Sequence, residues 1–355
     1  MRVSKLLSIV IILLCTVSCI EPFHPEIKER QDKLVINGGL TDQPGMQFVE
    51  VSRSTPYNEP GFIPVRGCVV RIEDENEQGV NYSESSPGVY SVSLNETFLG
   101  INKAYKLFVY TPDGEEYQSE YDSLLACPPV DSLYYEIERQ VTYNPNGFAY
   151  LGGLQFYVNV KGRAGNSRNF LWKLEETYEY HATYPLYSNL KICYKTHPIT
   201  EIYTASCRYI DGTDLIRYPL NYVSGGKIRI KYGLMVRQYS LSDDAFLYWE
   251  RMKTLINETG GLYEKQPASF EGNICNVNDE EEQILGFFYA SQERKKWILL
   301  RKPLGPLLPA TNCMPRFPPE VKCPPLSCCW TPPWCCDCRL RGGSLEPPYY
   351  WLIDE

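Results

Sequence analysis

Histidine is nearly missing from this chain: His24, His181 and His197 are all it has in 355 residues. Catalysis and metal binding that lean on imidazole have little to draw on. No Gly-x-Ser-x-Gly elbow, His-Glu-x-x-His helix or Walker-type loop occurs. The linear signatures of α/β-hydrolases, zincins and P-loop enzymes are therefore absent. A basic surplus is lacking too, since 35 Lys and Arg face 43 Asp and Glu for a net charge of −8. That balance argues against nucleic acid as a main partner, because phosphates need excess cation to neutralise them. Beyond the first 17 residues no uninterrupted apolar run approaches the about 18 residues of a helical membrane span. No repeat at solenoid or propeller periods is found.

What is plentiful is cysteine (14), proline (27) and tyrosine (28), with 25 glycines. That mixture favours short strands and turns over long helices. With 43% hydrophobic and 22% charged residues the chain can build a substantial core. Its length suits about two domains.

The N-terminus reads as an export leader. Arg2 and Lys5 precede a mainly apolar run of 12 residues, Leu6 to Val17. As a helix it would cover about 18 Å against roughly 30 Å of hydrocarbon, which fits a leader and not a spanning anchor. Small Ser18 directly precedes Cys19. This resembles a bacterial lipoprotein signal, whose cysteine thiol takes a diacylglycerol group and becomes the mature N-terminus. Cys19 is the expected anchor, with palmitate-type chains adding about 0.8 kcal/mol per buried CH₂. Thr16 and Val17 depart from the residues usual there, and an ordinary secretory leader cleaved near Ser18 is the alternative.

The fold class expected is mainly β: an N-terminal immunoglobulin-like β-sandwich, then a second β-rich domain with one amphipathic helix and a Cys/Pro-rich C-terminal tail. The boundaries are 1–18 for the signal peptide, 19–33 for a polar tether and 34–126 for the sandwich. The second domain takes 127–302, and the tail takes 303–355, packed on it. Short alternating runs such as Phe48-Val49-Glu50-Val51 and Tyr105 to Tyr110, separated by turn residues including Asp113-Gly114, carry the sandwich reading. The Cys–Trp–Cys hallmark of antibody domains is missing. Cys127-Pro128-Pro129 marks a stiff joint. Leu154 to Val160 and Phe170 to Leu174 read as paired strands, and Ile228-Arg229-Ile230 as another. A helix over about 243–259 is announced by Ser242 as N-cap and Asp243-Asp244 behind it, and stopped by Gly260-Gly261. Its apolar stripe of Ala245, Tyr248, Trp249, Met252, Leu255 and Ile256 is read as core. The last segment holds 12 prolines between Pro303 and Pro348, too many for regular helix or central strand.

Several segments together resemble the uncharacterised Bacteroidetes lipoproteins grouped as domain of unknown function 4249. They are Cys19 to Phe23, Lys33 to Gly38, Thr41 to Gly45, Val236 to Ser242 with Trp249, and Gln266 to Ser269 leading to Gly272-Asn273-Ile274. Ile284 to Phe288, Cys336-Asp337-Cys338-Arg339, Gly342-Gly343 and Trp351 complete the resemblance. Ser344, Pro347, Tyr349 and Tyr350 depart from it. The resemblance implies lipid anchoring at the outer membrane, on its periplasmic or its cell-surface side, and often a TonB-dependent receptor as partner in nutrient uptake. It supplies no catalytic residues and no cofactor. The expected function is a non-enzymatic binding or accessory role. The alternatives are a tethered hydrolase with a dispersed site and a metal-handling protein that uses the tail cysteines.

Seven tail cysteines, Cys313, Cys323, Cys328, Cys329, Cys335, Cys336 and Cys338, are candidates for disulfides in an oxidising compartment. Zinc prefers two close Cys-x₂-Cys pairs, and a second such pair is absent. Adjacent cysteines seldom bridge each other, so each should pair elsewhere. Setting aside Cys15 and Cys19 leaves twelve, an even number compatible with full pairing. A Cys/His site from Cys193, Cys207, His181 and His197 is loosely spaced. Glu175, Glu176 and Glu179 read as the solvated face of a strand, and Glu280-Glu281-Glu282 as a surface run. Tyr178, Tyr180, Tyr184 and Tyr187 form a candidate ligand-facing patch, because tyrosine contributes contact area at low entropic cost. Ser123 and Ser132, each in an Asp-Ser-Leu triplet, resemble O-glycosylation acceptors of that phylum.

Overall fold

Alternation of apolar and polar residues dictates most of what forms. In Leu34–Thr41 the even-numbered Leu34, Ile36, Gly38 and Leu40 are buried and their neighbours turn outward, as a strand with one face on a core requires. The computed structural model describes residues 32–55, 59, 61–144, 147–162, 166–185, 187–208, 214–258, 272–301 and 333–353. The chain divides into two units. One comprises Met1–Asp32 with Thr55–Gly61, and the other Lys33–Ser54 with Phe62–Glu355. In the first, the Gly61 amide donates to Thr55 Oγ1 at 3.2 Å. The proposed anchor Cys19, His24 and the leader lie outside the described residues.

The larger unit begins with ten strands: β1 (Leu34–Thr41), β2 (Gly45–Arg53), β3 (Ile63–Pro64), β4 (Val69–Asp74), β5 (Gly79–Asn81), β6 (Ser83–Ser86), β7 (Val89–Leu94), β8 (Ala104–Tyr110), β9 (Glu116–Ser119) and β10 (Asp122–Ser123). It continues with β11 (Val130–Asn144), β12 (Gly147–Val160), β13 (Asn169–His181), β14 (Ile192–Ser206), β15 (Leu215–Ser224) and β16 (Lys231–Leu241). Then come helix α1 (Asp243–Glu258), β17 (Ile274–Asn276), β18 (Phe288–Ser291) and β19 (Glu293–Arg301). The protein is mainly β, as its sequence implies. Among the described residues no helix is long and apolar enough to cross a membrane.

Two sheets share the first core. One runs β18-β1-β2-β7-β6 with β3 on β2, the other β17-β9-β8-β4-β5 with β10 on β8. Ile36, Val51, Val70, Ile72, Tyr90 and Tyr105 are fully enclosed between them. This order is consistent with the immunoglobulin-like arrangement expected. Its edge strands β17 and β18 arrive from far along the chain, and β18 lies parallel to β1. Gly286 permits that approach: its φ is +98°, and a Cβ there would sit 2.0 Å from the Ile36 carbonyl oxygen.

A second pair of sheets, β11-β12-β15 and β14-β13-β16-β19, encloses Phe156, Phe170, Trp172, Ile228, Tyr232 and Val236. Two sequence expectations are corrected here. β12 and β13 are not partners. β12 pairs with β11 and β15, and β13 with β14 and β16. Both strands bury one alternate set of side chains in the same core, so they face each other across it. Ile228 is in a short 3₁₀ turn, Gly225–Ile228, not in a strand. Gly225, at φ +74°, turns the chain there, and Ile228 is buried.

The joint is hydrogen-bonded as well as proline-stiffened. Ser240 Oγ donates to the Leu125 carbonyl at 2.6 Å, and Gln238 Nε2 to the Pro128 carbonyl at 2.7 Å. The Cys127 amide donates to Gln292 Oε1 at 2.9 Å, while Gln292 Nε2 reaches Asp42 at 2.9 Å. Only Gln292 separates β18 from β19, so one extended run passes from the first sheet pair into the second. Helix α1 starts as expected, with the Ala245 amide donating to Ser242 Oγ at 3.2 Å. Its stop at Gly260-Gly261 lies outside the described residues. Ala245 and Tyr248 are buried, but Ile256 is 52% exposed. Residues 333–353 form three 3₁₀ turns, Pro333–Cys335, Cys338–Arg341 and Tyr349–Trp351. Tyr350 and Trp351 cover Met235 on the outer face of the β14-β13-β16-β19 sheet.

Candidate cleft on the outer face of the four-stranded sheet

Strand parity places the site. In β13, Trp172 and Leu174 point into the core, so Leu171, Lys173 and Glu175 point away from it. In β16 the outward set includes Met235, Arg237 and Tyr239, and in β19 Glu293, Lys295 and Trp297 share that side. Helix α1 covers Leu171, Tyr239 and Leu241 at one end of this face. The C-terminal turns cover Met235 at the other. Between these covers lies a cleft of about 690 Å³, whose opposite wall comes from β1 and β2. That volume lies in the range of small-molecule sites.

Register sets its charges side by side. Lys173 lies directly across from Arg237, and Arg237 directly across from Lys295. Like charges placed opposite one another on a sheet are unfavourable. Glu293, 5% exposed at its side chain, compensates two of the three cations, meeting Arg237 at 3.2 Å and Lys295 at 3.0 Å. It also accepts from Tyr239 OH at 3.0 Å. Burial, reinforced by the Glu293 charge, raises the Tyr239 phenol above its ordinary pKa.

Lys173 is left without a carboxylate within ion-pair distance among the described residues. Its ammonium donates to Tyr289 OH at 3.0 Å. It also stands 5.4, 5.8 and 5.6 Å from the ring centres of Tyr239, Trp249 and Tyr289. The side chain is ringed by atoms yet open to water from the cleft. The pull of Tyr289 outweighs the loss of hydration and raises the lysine pKa, so it stays charged. Trp249 and Tyr289 meet edge to face at 6.0 Å, and Tyr248 stacks on Phe287 at 4.7 Å. Trp249 Nε1 is buried with no hydrogen-bond partner. Gly39 makes room for this wall, since a Cβ on it would come within 2.9 Å of the Tyr289 ring. Met46 and Phe48 of β2 are about half exposed at the mouth.

A smaller hollow of about 480 Å³ lies at the start of α1, beside Asp122, Ser123 and Asn169. Burial lifts the Asp122 carboxyl to about 6, and its Oδ2 accepts from the Ala290 amide at 2.7 Å. Ser123 lies in β10 between buried Asp122 and Leu124. Ser132 lies in β11 with its hydroxyl accepting from Asn159 Nδ2 at 2.7 Å.

The four candidate tyrosines do not form one open patch. Tyr180 is buried against the disulfide Cys193–Cys338 and donates to the Cys338 carbonyl, and Tyr178 packs beside it. Tyr184 and Tyr187 are 48% and 60% exposed in the following loop. The tail cysteines within the described residues are oxidised: Cys338 is bonded to Cys193 of β14, and Cys335 and Cys336 are disulfide-bonded. Cys313, Cys323, Cys328 and Cys329 lie outside the described residues. Pairing is not complete, because Cys68, Cys127, Cys207 and Cys275 carry free thiols. Burial raises the pKa of the first three, so they pack as small apolar groups. A zinc site using Cys193 is ruled out by its disulfide. Glu176 is also corrected. It shares parity with Trp172 and Leu174, so it is buried, paired with Lys227 at 2.5 Å and accepting from Tyr232 OH at 3.0 Å.

Sequence reasoning did not single out Lys173, Arg237, Tyr239, Tyr289, Glu293 or Lys295. Trp249 was expected as plain core, yet it forms a wall of the cleft. These residues come from four strands, β13, β16, β18 and β19, and from α1, and linear spacing does not encode how such elements are brought together.

A family model described as Domain of unknown function (DUF4249) matches residues 20–297. No curated protein matches the chain. Among solved structures, the crystal structure of pullulanase complexed with maltotriose from Anoxybacillus sp. LM18-11 aligns at 13% identity. That alignment covers 58% of this chain and 24% of that one, with a TM-score of 0.17, too low to carry an argument.

Proposed function

Because the chain belongs to the family described as Domain of unknown function (DUF4249), we propose that it is an outer-membrane lipoprotein anchored through Cys19. In this reading it has a non-enzymatic binding or accessory role beside a TonB-dependent transporter in nutrient uptake. The observation that supports a binding role is the cleft between α1, the four-stranded sheet and β1–β2. It is concave, walled by aromatic rings and supplied with a few convergent polar groups, the pattern of a ligand site. Its buried carboxylate, Glu293, is held by three donors, which suits a positioning charge better than a proton acceptor. Anchoring is supported by the leader, by Ser18-Cys19 and by the polar stretch that follows.

Two measurements test the reading. Cys19→Ala should move the protein out of the membrane fraction, and continued tight membrane association would refute lipidation at Cys19. Cross-linking in intact cells should capture a TonB-dependent receptor with the wild-type chain. Recovery of the chain without any such receptor would sink the accessory role.

A further inference from the structure

We propose that the chain pairs with a second copy of itself through the open edge of β12, joining two β11–β12 ribbons into one four-stranded sheet about a two-fold axis. None of the residues in this contact lines the cleft, and the contact does not depend on the binding reading above.

β12 has neighbours on both sides for only part of its length. β15 accompanies it as far as Gly153, which lies opposite Ser224. Gly225 then turns the chain away at φ +74°. β11 continues beside β12, from Arg139 opposite Gly152 to Asn144 opposite Gly147. These six pairs form a two-stranded ribbon about 20 Å long, and two strands alone are marginally stable. Among the described residues no strand pairs with the other side of 147–152. Ile137 and Val141 of β11 share parity with buried Leu133, yet they are 63% and 58% exposed. The cover of the core therefore ends before the ribbon does.

The other long edges of this sheet pair are guarded against strand addition. β15 holds Pro219, and Arg217 at φ +56° beside a register shift. β14 holds Pro198, a register shift and a bridge from Tyr194 to Ser344 of the C-terminal segment. β19 holds Arg294, Lys295 and Lys296. Residues 147–152 have neither charge nor proline. A second copy requires that lack of charge, because a strand meeting itself about a two-fold axis sets each residue near its own kind, where like charges repel. Gly152 points to the same occupant. Glycine weakens a strand, yet a Cβ at Gly152 would meet nothing within 4 Å, whereas one at Gly153 would lie 2.5 Å from the Val223 carbonyl oxygen. Gly153 serves the approach of β15, and Gly152, unused by its own chain, leaves room for another backbone. A lipid surface suits the edge less well, since hydrocarbon offers nothing to unpaired backbone groups.

Sedimentation velocity tests this on the full chain carrying Cys19→Ala, which keeps acyl chains out of the measurement. A reversible dimer is expected, its share growing with concentration. Ala149 lies opposite Thr142, near the middle of the open edge and on the side of the ribbon away from Val141. Ala149→Lys should weaken the dimer at least tenfold, because like charges then meet across the axis. Ala149→Glu should do the same, and an equimolar mixture of the two variants should associate again. That rescue separates lost pairing from lost folding, which circular dichroism also checks. A monomer at every concentration, an unchanged dimer in both variants, or a mixture that stays monomeric would each overturn self-pairing through β12. In intact cells, Ala149→Cys should yield an oxidised product of twice the chain mass, in a Cys275→Ser background that removes the exposed free thiol. Cross-linking of Ala149→Cys to a receptor instead, or a monomer that floats with phosphatidylcholine vesicles, would give the edge to that occupant and overturn the proposal.

Discussion

Lys173 and Arg237 stand directly opposite each other on neighbouring strands, and one buried carboxylate, Glu293, keeps this arrangement tolerable. The two cations belong to a row that continues to Lys295, so the local balance hangs on that carboxylate. Glu293→Gln is therefore expected to destabilise the protein by about 3 kcal/mol, as when one partner of a buried pair is removed. Adding Arg237→Gln to it should restore part of the loss, because the uncompensated charge goes too. Chemical denaturation of the two variants checks both signs, and additive losses would exclude the coupling.

The contrast between two glycines separates backbone conformation from contact. Gly114, at φ +94°, has open space where a Cβ would be, while Gly286, at φ +98°, has the Ile36 carbonyl oxygen there. Gly114→Ala should cost about 1 kcal/mol from its left-handed conformation alone. Gly286→Ala should cost clearly more, because β18 must move away from β1. Thermal melting of the two variants measures the difference, and equal losses would mean that the close approach is not needed.

The disulfide Cys193–Cys338 closes a loop with a sequence separation of 145. Its removal by Cys338→Ser should destabilise by up to about 5 kcal/mol in the chain-entropy view. The loss should show first where the C-terminal turns meet the sheet. Limited proteolysis should cut within 333–353 of this variant well before the rest, and uniform digestion would argue against a locally held clamp.

Asp122 makes stability depend on pH. Its carboxyl is raised from 3.8 to about 6 by burial, so the folded state binds the proton more tightly than the unfolded chain does. The contribution is present in full below about pH 4 and is lost as pH rises through 6, amounting to about 3 kcal/mol. Asp122→Asn should flatten the stability profile between pH 4 and 6. Denaturant midpoints across that window read the change, and an unaltered profile would assign the slope to another group.

Much of the architecture was legible in the sequence for a simple reason. Period-two burial in Leu34–Thr41 follows from a single strand, and the start of α1 follows from Ser242 and two aspartates. What needed the fold was every relationship between strands. Glu176 misread as solvated is the mildest case, since its parity with Trp172 already pointed inward and its partner Lys227 lies in another element. The β12–β13 pairing failed because neighbours in sequence can sit in opposite sheets when both feed one core. The cleft escaped for the same reason, as Lys173, Arg237 and Lys295 come from three separate strands. Tyrosine spacing, by contrast, drew attention to Tyr180, whose hydroxyl is spent on the tail carbonyl of Cys338.

The parallel pairing of β1 with β18 carries a consequence for biogenesis. Asp42, at the end of β1, meets Gln292 across a sequence distance of 250 residues, so an emerging chain shows the open flank of β1 long before its cover exists. An exposed strand flank recruits other chains. During synthesis, the hazardous interval for this protein is the time between the appearance of its first strand and its eighteenth, and a holdase that shields residues 34–41 through that interval would be most useful there.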